Sequence, residues 1–97
     1  MKLSEILRDL EILSATADLD TEISGVSYDS RRTEPGDLFV AVKGFSSDGH
    51  RFIPAAMEKG AAAVLCEDPP ADGTPCVQIG ENMYHRRYLE NLSFISK

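Results

Sequence analysis

The chain has 97 residues, of which 42% are hydrophobic and 27% charged, and its formal net charge is -6. This composition fits one ordinary globular domain and differs from that of a disordered segment. The acidic balance argues against a general nucleic-acid binder, whose phosphate contacts need a basic face. It leaves room for one small anionic ligand held by backbone N–H groups.

The sequence carries no signal for a membrane or for metal. The first residues lack the apolar core of a signal peptide, and no apolar run could span a bilayer, so we expect a cytoplasmic protein without membrane contact. Cys66 and Cys76, the only cysteines, lie in apolar runs without a CxxC spacing or a nearby ligand set. We therefore expect reduced cysteines in strands and no metal site.

The first half of the chain predicts a helix followed by two strands. Apolar residues recur at helical spacing at Leu3, Ile6, Leu7, Leu10 and Leu13, and Ser4 is a candidate N-cap. The acidic stretch 18–22 indicates a loop, and the alternation over 23–28 indicates a strand. Proline and glycine within 34–37 predict a tight turn before the apolar, β-branched run 38–42, which we interpret as a buried strand.

The second half predicts a helix followed by two more strands. Residues 50–59 have one apolar face, Pro54 fits the first helical turn, and Gly60 is a natural C-cap. The short apolar runs 61–66 and 75–79 predict strands, the second of them either buried or at an edge of the sheet.

These elements predict an α/β fold, a small single domain with a mixed β-sheet flanked by helices. A helix between two strands implies at least one right-handed βαβ crossover. We expect the domain to cover residues 1–80. Apolar residues still recur at helical spacing within 81–97, which predicts a helix-like tail.

The first suggestive motif follows the strand that ends near Tyr28. Ligands of α/β sheets tend to bind beyond the carboxyl ends of strands, and the Ser30 hydroxyl could donate to a carbonyl or phosphate oxygen there. An alternative is that Asp29 and Ser30 only shape a turn while Arg31 pairs with Asp29 or Asp37. The residues alone leave both interpretations open.

The second motif is a loop bracketed by Gly44 and Gly49 between a predicted strand and a predicted helix. Its glycines would let the backbone approach a ligand closely, and Phe45 could stack on a flat base. The alternative is a connecting loop in which Asp48 caps the next helix. The loop lacks the spacing of a phosphate-binding loop with its lysine.

Neither histidine comes with a recognisable catalytic partner. His50 and His85 are more typical of surface or helix-end positions than of a general base, which needs a partner and a pocket. The sequence has no nucleophile elbow, no HExxH and no compelling pair of carboxylates. It therefore predicts no complete active site.

Several short motifs follow one another along the middle of the chain. As a set, they resemble the signature of the amino-terminal domain of the Mur ligase family. The motifs are Asp29-Ser30-Arg31, Pro35 to Ala41, Gly44, Asp48-Gly49-His50 with Phe52-Ile53, and Ala56 with Gly60-Ala61 and Ala63.

The resemblance implies a domain that binds the UDP end of UDP-N-acetylmuramoyl-dipeptide in peptidoglycan synthesis. By similarity, Asp29 and Arg31 would hold their loop. Within this family, the residues that precede Asp29-Ser30-Arg31 favour the ligases that add the third peptide residue over the ligases that add D-alanyl-D-alanine. The residues that would contact the UDP moiety are Tyr28, Ser30, Phe45, Ser46 and Ser47.

In this family, ATP and magnesium act in a central domain, and a carboxyl-terminal domain receives the incoming amino acid. These domains would be partners of this one in the whole enzyme. The family pattern fades from Glu81, and no glycine-rich ATP loop with its lysine occurs by Lys97. We therefore expect no cofactor and no catalysis in this chain alone. A non-enzymatic α/β interaction module is the alternative from a different class.

Overall fold

The computed structural model describes residues 1–8, 12–41 and 49–79. The predicted ligand residues Phe45, Ser46 and Ser47 and the predicted tail helix 81–97 lie outside these described residues. Two single 3-10 turns, named here the Ser30 turn and the His50 turn, connect strands to helices or strands. In chain order the elements are α1 Leu3–Ile6, β1 Ile12–Ala15, β2 Gly25–Ser27, the Ser30 turn Ser30–Arg32, β3 Asp37–Val40, the His50 turn Gly49–Phe52, α2 Ile53–Glu58, β4 Ala63–Cys66 and β5 Cys76–Ile79.

The described strands form one five-stranded sheet in the order β1-β5-β4-β3-β2. β2, β3, β4 and β5 run parallel, and β1 pairs with β5 in the antiparallel direction. The predicted mixed sheet is confirmed, and α2 connects the parallel neighbours β3 and β4 as the predicted crossover helix. Because the four parallel strands end on the same side, their ends define one border of the sheet, called here the carboxyl edge.

Both faces of the sheet are covered by apolar residues, because side chains alternate along each strand. Leu38 and Val40 of β3 face a cluster that includes Leu3 and Leu7 of the amino-terminal segment. Phe39, between them in sequence, faces the opposite cluster around α2. That second cluster contains Phe39, Ala41, Ile53, Ala56, Ala61, Val64, Cys66 and Cys76.

The predicted turn before β3 is present and packs against the end of α2. Asp37 N–H donates to the Glu34 carbonyl at 3.1 Å, and Gly36 has a φ of 87°. Gly36 N–H donates in turn to the Gly60 carbonyl at 2.9 Å. Gly60 directly follows the C-cap of α2 with a φ of 96°, so the predicted glycine end of the helix is confirmed.

The amino-terminal prediction is wrong in two respects. α1 is only one short turn whose N-cap is Lys2 and not Ser4, and the Glu5 carboxylate accepts from the Lys2 N–H at 3.1 Å. Leu13 belongs to β1 and is 57% exposed. The spacing was misleading because the partner that makes this segment a strand is β5, far away in sequence.

The position of β5 decides between the two possibilities left open by the sequence. β5 lies inside the sheet, between β4 and β1, so the edge alternative is wrong. Val77 and Ile79 of β5 are 0% and 2% exposed. The missed strand β1 provides the outer neighbour, which explains why the run 75–79 could not be placed from its own residues.

We expect Gly60→Ala to destabilise the fold more than Gly73→Ala, although both glycines have positive φ values of 96° and 83°. An alanine in this region costs roughly 1–2 kcal/mol at either site. A Cβ on Gly60 would also lie 3.0 Å from the Pro35 Cα, whereas a Cβ on Gly73 meets nothing within 4 Å. Overpacking should add roughly 1–3 kcal/mol at Gly60.

Urea unfolding of both variants measures this difference. Equal losses of unfolding free energy would show that the contact between the turn before β3 and the end of α2 has no energetic weight.

Candidate functional site

The loop after β2 is fixed by a carboxylate at its start. Asp29 is the N-cap of the Ser30 turn, and its Oδ1 accepts from the Arg31 backbone N–H at 2.9 Å and from Arg31 Nε at 3.1 Å. Its Oδ2 accepts from Arg31 Nη2 at 2.9 Å. Arg31 therefore pairs with Asp29, one of the partners considered from sequence, and both residues hold the loop.

Two hydroxyl groups that were not singled out from the sequence also hold this loop by hydrogen bonds. Ser27 Oγ donates to the Asp29 carbonyl at 2.8 Å, and Thr33 Oγ1 donates to the same carbonyl at 3.1 Å. The two hydroxyls lie 3.1 Å apart and are buried. Their separation of six positions matches no local motif, so only the folded loop reveals that they act together.

A cavity of about 430 Å³ opens beside this loop at the carboxyl edge. It brings together Tyr28 and Ser30, two of the predicted ligand residues, and adds Phe52 from the His50 turn. Ser30 is 8% exposed, while Tyr28 and Phe52 are 37% and 40% exposed. Asp29 and Arg31 complete the lining. Sequence reasoning named Phe52 only as part of the family motif and gave it no role in the site.

The cavity lining combines aromatic surface, a hydroxyl group and the ion pair of Arg31 with Asp29. The Arg51 guanidinium lies over the Phe52 ring, 5.4 Å from its centroid. The Arg31 side chain is 88% exposed. Partial burial raises the pKa of Tyr28, so its hydroxyl stays protonated at neutral pH. Such a site suits a ligand with a flat ring and an anionic group.

β3, the strand that precedes the glycine-bracketed loop in sequence, ends at this same border. β2 and β3 pair in parallel with Ser27 opposite Phe39, so the segments that follow both strands start at the carboxyl edge. Ala41, the last described residue before the loop, donates its N–H to the Leu65 carbonyl at 2.9 Å. The chain returns at Gly49 and reaches the cavity at Phe52.

His50 lies between Gly49 and Phe52 and contacts the segment that directly follows β4. Its Nε2 accepts hydrogen bonds from the backbone N–H groups of Glu67, at 3.1 Å, and Asp68, at 3.2 Å. The residue is half-buried in the turn before α2, so the expected helix-end position is close to the observed one. Its contact with the segment after β4 spans 17 and 18 positions and could not be predicted from the local pattern.

The cysteines are buried and reduced, as expected. They lie on the neighbouring strands β4 and β5, and burial, together with the nearby Cys76, raises the pKa of Cys66 to about 12. Such a thiol stays protonated and unreactive at neutral pH.

The described part of the chain has no metal cluster and no membrane-spanning helix. No group of at least three His, Cys, Asp or Glu side chains there could hold a metal ion. No described helix is both long and apolar enough to cross a bilayer.

We expect the Asp29–Arg31 pair to lose its stabilising effect in acid. The Arg31 side chain, followed by the Arg31 backbone N–H, lowers the pKa of Asp29 from 3.8 to about 2. A lowered carboxyl pKa means that the pair stabilises the fold above about pH 4 and ceases to do so as the pH falls through about 2. An NMR titration of the Asp29 carboxyl measures this pKa directly.

Arg31→Met should return the pKa of Asp29 towards its usual value. Arg32→Met is the matched control, because Arg32 is the weakest of the causes that lower this pKa. A pKa that responds equally to both substitutions would contradict the specific pairing of Asp29 with Arg31.

Comparison with known proteins places this architecture. A family model described as "Mur ligase family, catalytic domain" matches residues 22–93. The chain is 47% identical over 85 residues to the UDP-N-acetylmuramoyl-L-alanyl-D-glutamate–2,6-diaminopimelate ligase of Bacteroides fragilis, covering 84% of this chain and 18% of that protein. It is 53% identical over 73 residues to the UDP-N-acetylmuramyl-tripeptide synthetase of Roseiflexus sp., covering 75% of this chain and 14% of that protein.

Solved structures agree with these relatives. A UDP-N-acetylmuramoyl-L-alanyl-D-glutamate–2,6-diaminopimelate ligase superposes with a TM-score of 0.61 and 25% identity, covering 94% of this chain and 19% of that one. The MurF ligase of Thermotoga maritima in complex with ADP gives a TM-score of 0.58 and 28% identity, covering 78% of this chain and 16% of that one. The chain thus spans less than a fifth of the length of each protein compared, and the family model matches most of its residues. The chain belongs to the Mur ligase family.

Proposed function

We propose that this chain binds the UDP end of UDP-N-acetylmuramoyl-L-alanyl-D-glutamate for the ATP-dependent addition of the third peptide residue in peptidoglycan precursor synthesis. The binding unit would be residues 1–80, acting in the cytoplasm together with the central and carboxyl-terminal domains of a ligase. Tyr28, Ser30, Phe45, Ser46 and Ser47 would contact the UDP moiety.

The observation that carries this proposal is the cavity at the carboxyl edge. It combines the half-exposed rings of Tyr28 and Phe52 with Ser30 and the exposed guanidinium of Arg31. A pyrimidine nucleoside diphosphate has the matching groups, namely a flat base, hydrogen-bond acceptors and anionic phosphates. The Ser30 hydroxyl has no hydrogen bond to another described residue and could donate to one of those acceptors.

The names of the relatives support the dipeptide substrate over the later intermediate that receives D-alanyl-D-alanine. Relatives of 47% and 53% identity are named for adding 2,6-diaminopimelate or for making the tripeptide. The D-alanyl-D-alanine-adding ligase of Acinetobacter baumannii has the same fold, with a TM-score of 0.56, so the names of the sequence relatives, and not the fold, carry this choice. Membership of a ligase family also disfavours the alternative of a non-enzymatic interaction module.

ATP and magnesium belong to the reaction proposed for the whole enzyme. No cluster of acidic or imidazole side chains among the described residues fits a magnesium ion. The proposed contribution of this part of the chain is to hold and orient the nucleotide end of the substrate.

We expect Ser30→Ala to weaken UDP binding by roughly 1–2 kcal/mol, because one hydrogen bond to an anionic ligand is lost. Titration of the 15N-labelled chain with UDP, followed through its amide signals, measures the affinity. Ser4→Ala is the matched control, because Ser4 is exposed and belongs to α1. The start of α1 pairs with the segment before β2, whereas the cavity lies beside the loop after β2. Equal affinities of Ser30→Ala and the unchanged chain would remove Ser30 from the site.

We expect Phe52→Ala to weaken UDP binding more than Phe52→Tyr. Stacking of a base on an aromatic ring contributes roughly 1–3 kcal/mol, and tyrosine preserves the ring whereas alanine removes it. Phe52 is 40% exposed, so neither change should disturb the core. The same titration checks the order of affinities, and an alanine variant that binds like the tyrosine variant would exclude stacking on this residue.

A further inference from the structure

We propose that His50 is a positioning residue of the nucleotide cavity. Its imidazole ties the His50 turn to the backbone that follows β4 and thereby sets the place of Phe52 in the cavity wall. The role of this tie in ligand binding rests on the proposed function, whereas the tie itself does not.

The tie consists of two hydrogen bonds to one ring nitrogen. Glu67 N–H and Asp68 N–H both donate to His50 Nε2, at 3.1 Å and 3.2 Å, across 17 and 18 positions of sequence. An atom that accepts from two donors must carry its lone pair, so Nε2 is unprotonated. The neutral ring then has its proton on Nδ1.

The position of the tie gives it influence over the cavity. Glu67 directly follows the end of β4 at the carboxyl edge. It is 9% exposed, so neighbouring residues surround it on most sides. The His50 turn has only four residues, and a single 3-10 turn has too few internal hydrogen bonds to fix its own place on a surface. Buried Ile53 of α2 holds the carboxyl end of the turn, and the bonds to His50 add a polar anchor on the parallel sheet nearer its start.

Phe52 is the residue through which the tie reaches the ligand. It stands two positions after His50 in the same turn and lines the cavity together with the segment that follows β2. A turn released from the end of β4 would let this ring move away from Tyr28 and Ser30. His50 therefore acts on the ligand through Phe52 and does not need to touch it.

The test compares His50→Ala with His50→Gln in the full 97-residue chain. The amide oxygen of glutamine can accept two hydrogen bonds, while alanine accepts none. We expect His50→Ala to weaken UDP binding ~10-fold and to speed hydrogen exchange at the Glu67 and Asp68 amides, since two hydrogen bonds are lost. His50→Gln should restore much of both. Circular dichroism confirms that each variant keeps the fold.

The unchanged chain provides an independent readout. A long-range 1H–15N correlation of its histidine rings should show the His50 Nε2 as an unprotonated nitrogen, and the Glu67 and Asp68 amides should exchange slowly. A protonated Nε2, or exchange at the rate of an unstructured peptide, would overturn the proposal even if His50→Ala failed to fold.

Failure of the proposed function is distinguishable from failure of this inference. If the unchanged chain shows no response to UDP, the nucleotide assignment is wrong. The role of the tie is then tested without ligand, by comparing the amide signals of Phe52 and Tyr28 in His50→Ala with those of the unchanged chain. Displaced signals would support the positioning role, and unchanged signals would refute it. Undiminished UDP affinity in a folded His50→Ala chain would refute it as well.

Discussion

The parallel pairing of β2, β3 and β4 is the constraint on which the rest of this structure depends. In-register pairs such as Ser27 with Phe39 and Val40 with Leu65 bring the ends of these strands to one border. The connections that follow must then start side by side, although they are far apart in sequence. Buried apolar residues on both faces hold this arrangement, because a shift by one residue would turn each side chain to the wrong face.

The carboxyl edge separates residues that hold loops from residues that face the cavity. The side chains of Asp29, Ser27 and Thr33 form hydrogen bonds within the loop after β2. Tyr28 and Phe52 instead leave much of their ring surface exposed. A loop that is held by its own polar groups can present neighbouring groups to a ligand without first becoming ordered, which lowers the entropic cost of binding.

Local patterns predicted what depends on neighbouring residues. The Pro35-Gly36 turn and the helix end at Gly60 follow from backbone chemistry and were placed correctly. The sequence also predicted the loop after β2 and the pairing of Arg31 with Asp29 as one of two choices.

Long-range partners explain what was missed. The spacing of Leu13 fits the helical pattern, but pairing with β5 makes its segment the strand β1, where Leu13 is exposed. Phe52 could not be assigned to the cavity because its other lining residues come from the distant loop after β2, and the tie of His50 was missed because its partners follow β4.

The assignment of UDP rests on Tyr28, Ser30 and Phe52 sharing one cavity. Intermolecular NOEs between UDP and the 97-residue chain test it most directly. The account predicts contacts from the uracil H5 and H6 protons to the rings of Tyr28 and Phe52. Uracil contacts confined to residues away from the carboxyl edge would contradict it.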